Sequence, residues 1–271
     1  MQADAEPLVA WAQWAGQHAL VLYCVLLALL LAASCLGWLI CQSYSARLRR
    51  QNSSPTLFMG LRIAAGGAVM LLGVWLFATL AGQLGATGIL VHADPALTDA
   101  VRTSVPRAAL QVFAVLTHLG DTATLTALCL VIAIALVARG RRWLVLGWVL
   151  ALAGNGLLNP SLKQLFGRAR PLEQARLVLE PGFSFPSGHS SGSVVAYGML
   201  AYLALRLLAP RWHLPALLAA LSLAFTVGAS RVFLRVHFAS DVIAGFASGA
   251  AWLALCVTSI ELMRWHRQRA A

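Results

Sequence analysis

The sequence predicts an all-α membrane protein, and three observations support this prediction. Of the 271 residues, 60% are hydrophobic and only 11% are charged, whereas soluble domains carry about 25% charged residues. The apolar residues fall into runs close to the roughly 20 residues that a membrane-spanning helix needs. The arginines cluster between these runs, in alternate loops, which is where membrane topology places positive charge.

Seven apolar runs are candidate membrane helices. They cover residues 19–41, 61–82, 121–138, 143–161, 189–209, 214–230 and 240–263. We interpret the last six as a transmembrane core, and the first as one extra N-terminal transmembrane helix. Because residues 1–18 lack the positive region of a secretory signal, we expect this first helix to be retained. The predicted division is an N-terminal helix with a cytoplasmic loop over 1–60, the membrane core over 61–263 and a cytoplasmic tail over 264–271.

Loop charge predicts the orientation of these helices. Short arginine-rich segments lie near residues 47–50, 139–142, 206–211 and 264–269, and the positive-inside rule assigns them to the cytoplasm. Segment 162–188 then lies outside, although it carries Lys163, Arg168, Arg170 and Arg176. Statistical scatter would explain these cations, but a site that binds an anion explains them better. The net charge of +11 therefore reflects topology and anion binding, and we predict no nucleic-acid partner.

Segment 83–120, between the second and third runs, is mixed in polarity. Asp94-Pro95 predicts a helix start, and residues 96–118 form an amphipathic stretch that should lie at the outer membrane interface. This stretch could line a substrate entrance or serve as a connector, and we favour the connector.

Three polar clusters lie at the predicted outer ends of membrane helices. They run from Lys163 to Pro171, from Phe185 to Ser190 and from Ser230 to Asp241. The first and third bring Lys163, Arg170 and Arg231 to one membrane face. A cation near lipid costs about 2.5–3.5 kcal/mol on insertion scales, so such residues usually mark a function. Arginine's planar fork suits phosphate oxygens, and lysine adds a point charge. Arg168 and Arg235 lie in the same clusters and could contact substrate, but we favour interfacial anchoring for both.

The second cluster, Pro186-Ser187-Gly188-His189, opens an apolar helix. A helix N-terminus presents unpaired N–H groups and a partial positive charge, which favour an anion. Gly188 would let a phosphate approach the backbone, and Ser187 adds a hydroxyl donor. The pattern alone would also fit an ordinary helix start.

In the third cluster, His237 and Asp241 are four residues apart and share a helix face. A carboxylate there can orient the imidazole and make its other nitrogen a better nucleophile. A surface ion pair would have the same spacing. Zinc is disfavoured, because no His-Glu-x-x-His helix is present and the neighbouring cations would repel a metal. The five cysteines form no C-x-x-C pair, so we predict no metal, cofactor or disulfide.

The three clusters together resemble the type 2 phosphatidic acid phosphatase superfamily, whose signature is K-x6-R-P, P-S-G-H and S-R-x5-H-x3-D. The resemblance covers residues 61–263 and implies a six-helix membrane core with the site at the outer helix ends. It implies that His237 is the nucleophile and forms a phosphohistidine, that Asp241 orients it, and that His189 is the acid and base. The residues implied to hold the phosphate are Lys163, Arg170, Ser187, Gly188 and Arg231.

The resemblance also implies a metal-independent lipid phosphatase of the bacterial inner membrane, with its site on the extracytoplasmic side. Undecaprenyl diphosphate is our leading candidate substrate. Phosphatidate, phosphatidylglycerophosphate and lipid A phosphates are alternatives that the motifs do not separate. A lipid phosphotransferase would use the same residues. A lipid binder or transporter without catalysis is disfavoured, because both histidines and Asp241 are retained.

Overall fold

The computed structural model describes residues 2–51, 54–85, 88–171 and 182–270, and every regular element in these ranges is helical. The α-helices are α1 (Gln2–Gln17), α2 (Ala19–Arg50), α3 (Pro55–Gly82), α4 (Leu90–Ser104), α5 (Arg107–Leu116), α6 (Thr122–Ala138), α7 (Arg142–Phe166), α8 (Gly188–Leu207), α9 (His213–Phe233) and α10 (Ala239–Ala270). The all-α membrane fold predicted from the sequence is therefore confirmed. The division into segments 1–60, 61–263 and 264–271 stays a prediction, although α10 continues into the predicted tail.

Five of the described helices are long and apolar enough to cross a membrane, namely α2, α3, α7, α9 and α10. A sixth span is formed if α5 and α6, which meet at a bend of 45°, are counted as one. The remaining predicted span corresponds to α8, which packs against α7, α9 and α10. Its first turns carry buried serines, including Ser190, Ser191 and Ser193, so α8 is a central helix of lower hydropathy.

Close contact between α8 and α10 sets the position of the functional end of the bundle. A Cβ atom added to Gly245 would lie 2.6 Å from the Ser187 carbonyl oxygen, and one added to Gly249 would lie 2.8 Å from that of Ser191. Small residues allow such backbone approach between membrane helices. At this end, the Ser187 amide donates a 2.9 Å hydrogen bond to the Asp241 carbonyl. The start of α8 is thereby tied to the start of α10.

Segment 83–120 differs from the sequence-based expectation. Helix α4 begins at Leu90, with Pro95 inside its first turns, so the prediction that Asp94-Pro95 starts a helix is wrong by about one turn. Helix α1, which the sequence did not predict, packs against α4. Helices α4 and α5 and the following 3₁₀ turn Thr117–Gly120 contact α9. The segment therefore packs against α9 and is an integral part of the helical bundle.

Candidate active site

The three polar clusters meet where α7 ends, α8 begins and α9 joins α10. The Lys163 Nζ donates to the Phe183 carbonyl at 2.8 Å, which links the first cluster to the chain just before the second. The Arg170 guanidinium donates to the Val236 carbonyl at 2.9 Å, which links the first cluster to the third. Residues more than 60 positions apart in the sequence therefore form one polar site.

His237 lies at the centre of this site, in the turn between α9 and α10, and its side chain is only 1% exposed. The Arg170 Nη1 lies 3.1 Å from its Nε2. Arginine has donors and no acceptor, so Nε2 must accept this hydrogen bond and the neutral ring carries its proton on Nδ1. The Nδ1 atom faces the Ser184 Oγ at 3.3 Å and the Asp241 Oδ2 at 3.5 Å. The geometry therefore selects the tautomer that leaves the Nε2 lone pair toward the cations.

Burial lowers the pKa of His237 to about 3, and the nearby Arg170 and Lys163 lower it further, while the hydrogen bond with Asp241 acts in the opposite direction. Desolvation disfavours the charged imidazolium. The ring is therefore neutral at physiological pH, which is the state that can act as a nucleophile.

Asp241 is held by several donors at the start of α10. Its carboxylate accepts hydrogen bonds from the Ser184 hydroxyl at 2.5 Å, from the Phe238 amide at 2.9 Å and from the Arg168 guanidinium at 2.7 Å. Ser184 therefore bridges the carboxylate and the Nδ1 side of His237. This arrangement fixes both groups more firmly than a single histidine–aspartate contact would.

Arg168 connects Asp241 to a second buried carboxylate, Asp94 of α4. The guanidinium lies 2.8 Å from the Asp94 Oδ2 and stacks on the Phe238 ring at 4.3 Å from its centroid. The Ser240 hydroxyl donates to the same Asp94 carboxylate. From the sequence alone Arg168 would be an interfacial anchor, and that interpretation is wrong because its side chain is inside this network.

His189 has its own carboxylate partner. Its Nε2 lies 2.8 Å from the Oδ1 of Asp121, the residue that joins the 3₁₀ turn to α6. The other oxygen of Asp121 contacts the exposed His118 at 2.7 Å. A Cβ atom added to Gly120 would lie 3.0 Å from the His189 Cδ2, so the small residue at this position makes room for the ring. Each of the two histidines predicted to be catalytic therefore has an aspartate partner, Asp121 for His189 and Asp241 for His237.

The residues predicted to hold phosphate are distributed around these histidines. Arg231 is fully buried and donates to the Thr117 hydroxyl at 2.7 Å. Ser187 is the N-cap of α8, where its Oγ accepts from the Ser190 amide at 3.4 Å. Gly188 is the first residue of α8 and lies close to the Asn159 side chain. A Cβ atom added to Gly188 would lie 2.9 Å from the Asn159 Oδ1, so a larger residue would not fit without a shift. Together with Lys163 and Arg170, these groups surround the site with cations and helix-terminal donors.

Several residues of this network were not singled out from the sequence. Asp94, Thr117 and Asp121 belong to segment 83–120 or follow it directly, and preferring a simple connector for that segment was wrong. Asp121 did carry a signal, because a carboxylate at the edge of an apolar run is costly unless it has a partner. Ser184, a polar residue between Phe183 and Phe185 just ahead of the Pro-Ser-Gly-His motif, carried a weaker one. Within the described part of the chain, no group of three or more His, Cys, Asp or Glu side chains is arranged to hold a metal.

The fold and the site define the class of the protein, an all-helical membrane protein whose paired histidines and clustered cations suit a phosphate group. The model of the PAP2 superfamily matches residues 142–265. The chain is also 35% identical over 162 residues to phosphatidylglycerophosphatase B of Bacillus subtilis, which covers 57% of this chain and 76% of that protein. The chain therefore belongs to the PAP2 superfamily and is a membrane lipid phosphate phosphatase.

Two further comparisons agree with this membership. The crystal structure of a transmembrane PAP2-type phosphatidylglycerolphosphate phosphatase from Bacillus subtilis superposes with a TM-score of 0.63 at 32% identity, over 71% of this chain and 94% of that one. A lipid A 1-phosphatase of Rhizobium johnstonii is 39% identical over 119 residues, which cover 41% of this chain and 44% of that protein. The resemblance recognised from the three motifs is confirmed.

Proposed function

We propose that the protein removes the terminal phosphate of a membrane lipid phosphate or diphosphate through a phosphohistidine on His237, without a metal ion. The observation that carries this proposal is the state of His237, which is buried, neutral and has its Nε2 lone pair directed at Arg170. A substrate phosphate bound by the cations would replace the guanidinium as the group nearest to Nε2.

In the first step, the Nε2 lone pair of His237 attacks phosphorus and the bond from phosphorus to the leaving oxygen breaks. The positive charge that develops on the ring is stabilised through Nδ1–H by Ser184 and Asp241. His189, protonated beside Asp121, gives a proton to the leaving oxygen. The products of this step are the dephosphorylated lipid and a phosphohistidine.

In the second step, neutral His189 takes a proton from water as the water oxygen attacks phosphorus. The nitrogen–phosphorus bond breaks and its electron pair returns to Nε2 of His237. Inorganic phosphate leaves, and both histidines regain their starting states. Asp121 is a positioning residue for His189 in both steps, as Asp241 is for His237.

The cations supply the electrostatic part of the reaction. Phosphoryl transfer depends mainly on positioning and on stabilising charge that spreads over the equatorial oxygens. Arg170, Lys163 and Arg231, with the amides at the start of α8, are the groups that would contact these oxygens. They take the place that a divalent cation has in other phosphoryl-transfer enzymes, so activity should survive chelation by EDTA, and strict magnesium dependence would exclude this mechanism.

Phosphatidylglycerophosphate and undecaprenyl diphosphate are the leading candidate substrates, and phosphatidate and lipid A phosphates are alternatives. The first is favoured by the name of the Bacillus subtilis relative that aligns over 76% of its length. The second follows from the proposed extracytoplasmic orientation of the site in a bacterial inner membrane, which the positive-inside rule supports. Both present a terminal phosphate at the membrane surface.

The decisive experiment measures phosphate release in detergent from these two lipids and from phosphatidate, with EDTA present throughout. We expect release by the parent protein and by His266→Ala, a matched control at an exposed histidine near the end of α10. We expect none by His237→Ala. Full activity of His237→Ala in folded protein would refute the proposed nucleophile.

A second assay tests the intermediate and separates hydrolysis from phosphotransfer. With labelled substrate, His189→Ala should accumulate a phosphoprotein that is stable in alkali and labile in acid, because attack by water is slowed. Label that passes to an added lipid acceptor, without matching free phosphate, would identify a phosphotransferase. Absence of label on the His189→Ala protein, both with and without the added lipid acceptor, would exclude the covalent intermediate.

A further inference from the structure

A large cavity opens at the end of the bundle opposite the candidate active site. Its volume is about 1120 Å³, at the upper end of the roughly 300–1,000 Å³ typical of ligand pockets. We call it the distal cavity, and residues of α2, α3, α8 and α10 line it, with His213 of α9. Arg206, on its wall, follows His189 by 17 residues in α8, a separation of about 25 Å along a helix. The cavity is therefore separate from the phosphatase site.

One side of the distal cavity is a cluster of arginines around a single carboxylate. Glu261 accepts a hydrogen bond from the Tyr202 hydroxyl at 2.6 Å and lies 3.2 Å from Arg62 and 3.1 Å from Arg264. Arg206 lies 3.7 Å from the same carboxylate. Three guanidinium groups thus share one negative charge, which leaves an excess of two positive charges. Glu261 is 14% exposed and Arg62 is 62% exposed, so the excess charge lies toward the opening.

The walls formed by α3 and α10 are largely apolar, with Ile63, Gly66 and Val69 on α3 and Leu253, Ala254 and Val257 on α10. Polar side chains also line the cavity, namely Gln42, Ser45 and Thr258. Trp38 of α2 closes one edge, where its ring packs edge-on against His213 at 6.3 Å. The cavity therefore combines a cationic end with an apolar channel that runs along membrane-spanning helices.

We propose that the distal cavity binds an anionic phospholipid, with its phosphate on Arg62 and Arg206 and an acyl chain along α3 and α10. The apolar wall favours a lipid over a free phosphate ion, because only a lipid has an acyl chain to bury there. The two excess positive charges favour an anionic headgroup over a zwitterionic one, because they would repel the choline or ethanolamine cation. Basic pockets between membrane helices commonly hold anionic lipid headgroups.

The test uses the 271-residue chain carrying His237→Ala, so that turnover cannot alter the bound lipid. Native mass spectrometry from a neutral detergent compares retention of phosphatidylglycerol with that of phosphatidylcholine of the same chain length. We expect a preference for phosphatidylglycerol, and about a thirtyfold loss of its affinity in Arg62→Gln/Arg206→Gln, from about 1 kcal/mol for each cation. The matched control is Arg139→Gln/Arg141→Gln, which removes two exposed arginines that do not line the cavity.

A second variant tests the apolar wall independently of charge. Ala254→Phe fills part of the channel and should weaken retention of both lipids, while its thermal unfolding in detergent without lipid stays close to that of the parent. Equal retention of the two lipids by the parent would overturn the proposal. An equal loss of phosphatidylglycerol affinity in the two arginine double variants would also overturn it. So would a rise in thermal unfolding temperature with inorganic phosphate equal to that with phosphatidylglycerol. None of these outcomes depends on catalysis, so they leave the proposed function unaffected.

Discussion

Replacing Arg168 by methionine should destabilise the protein strongly, because this side chain neutralises two buried carboxylates. Its guanidinium lies 2.7 Å from Asp241 and 2.8 Å from Asp94, whose side chains are 0% and 5% exposed. Methionine keeps much of the apolar stem but leaves both acids without their cation. Breaking a buried ion pair in this way costs about 3–5 kcal/mol, whereas an ordinary surface substitution changes stability by less than about 0.5 kcal/mol.

The assay is the free energy of unfolding in one detergent, measured beside phosphate release. Arg139→Met, at an exposed arginine, is the matched control and should behave like the parent. A double-mutant cycle with Asp94→Asn isolates the coupling. Because the second change removes one of the two stranded charges, Arg168→Met/Asp94→Asn should be more stable than the sum of the single changes predicts, by at least about 1 kcal/mol.

Two results would refute this reasoning. The first is a free energy of unfolding for Arg168→Met within about 0.5 kcal/mol of the parent, which would match an interfacial anchor. The second is strict additivity with Asp94→Asn, which would mean that the two side chains do not share an electrostatic network.

Three further predictions concern the histidines. Asp121→Asn should lower kcat by roughly 10²–10⁴-fold with little change in KM, since it removes the carboxylate partner of His189; steady-state kinetics with an unchanged kcat would contradict it. Gly120→Ala should lower kcat by about 10²-fold, because the new Cβ would lie 2.4 Å from a Val227 methyl and 3.0 Å from the His189 ring; the same kinetics, with thermal unfolding as a folding control, test it. Because the pKa of His237 is lowered to about 3 from 6.5, the unfolded chain binds more protons between these values, so the free energy of unfolding falls as pH falls from 6.5 toward 3. Unfolding measured across this range should be less pH-dependent in His237→Gln, and equal slopes would contradict the assignment.

The sequence predicted the motif-bearing part of the site because those residues are closely spaced. Lys163 and Arg170 sit within one motif, and His237 and Asp241 are only four residues apart, so local spacing was enough to connect each pair. The expectation that His237 and Asp241 share a helix face is wrong, because His237 precedes α10 and only Asp241 lies in it. Apolar run length likewise predicted the long helices. The serine-rich start of α8 reduced its apolar signal because those serines are buried inside the bundle rather than directed at lipid.

The rest of the network depends on contacts that local spacing does not encode. Asp94 meets Arg168 across 74 positions, and Asp121 meets His189 across 68. Asp94 lies in α4 and Asp121 directly follows the 3₁₀ turn, and no local sequence pattern identifies the partner of either acid. The distal cavity was also not predictable, because it depends on how α2, which packs against α9, is placed across the cavity from α3 and α10.

The contact between Arg170 and Nε2 of His237 has a consequence for how the resting enzyme is protected. Before substrate arrives, the lone pair that would attack phosphorus is already engaged at 3.1 Å by a cation. A neutral alkylating agent offers that cation no compensation for releasing the ring, and a metal ion is repelled by it. An anionic phosphate does compensate, because it forms an ion pair with the guanidinium and can accept two parallel hydrogen bonds from it, whereas the imidazole is a neutral acceptor of one. Under the proposed mechanism, Arg170 therefore keeps the Nε2 lone pair of His237 occupied until the negative charge of the substrate draws the guanidinium away.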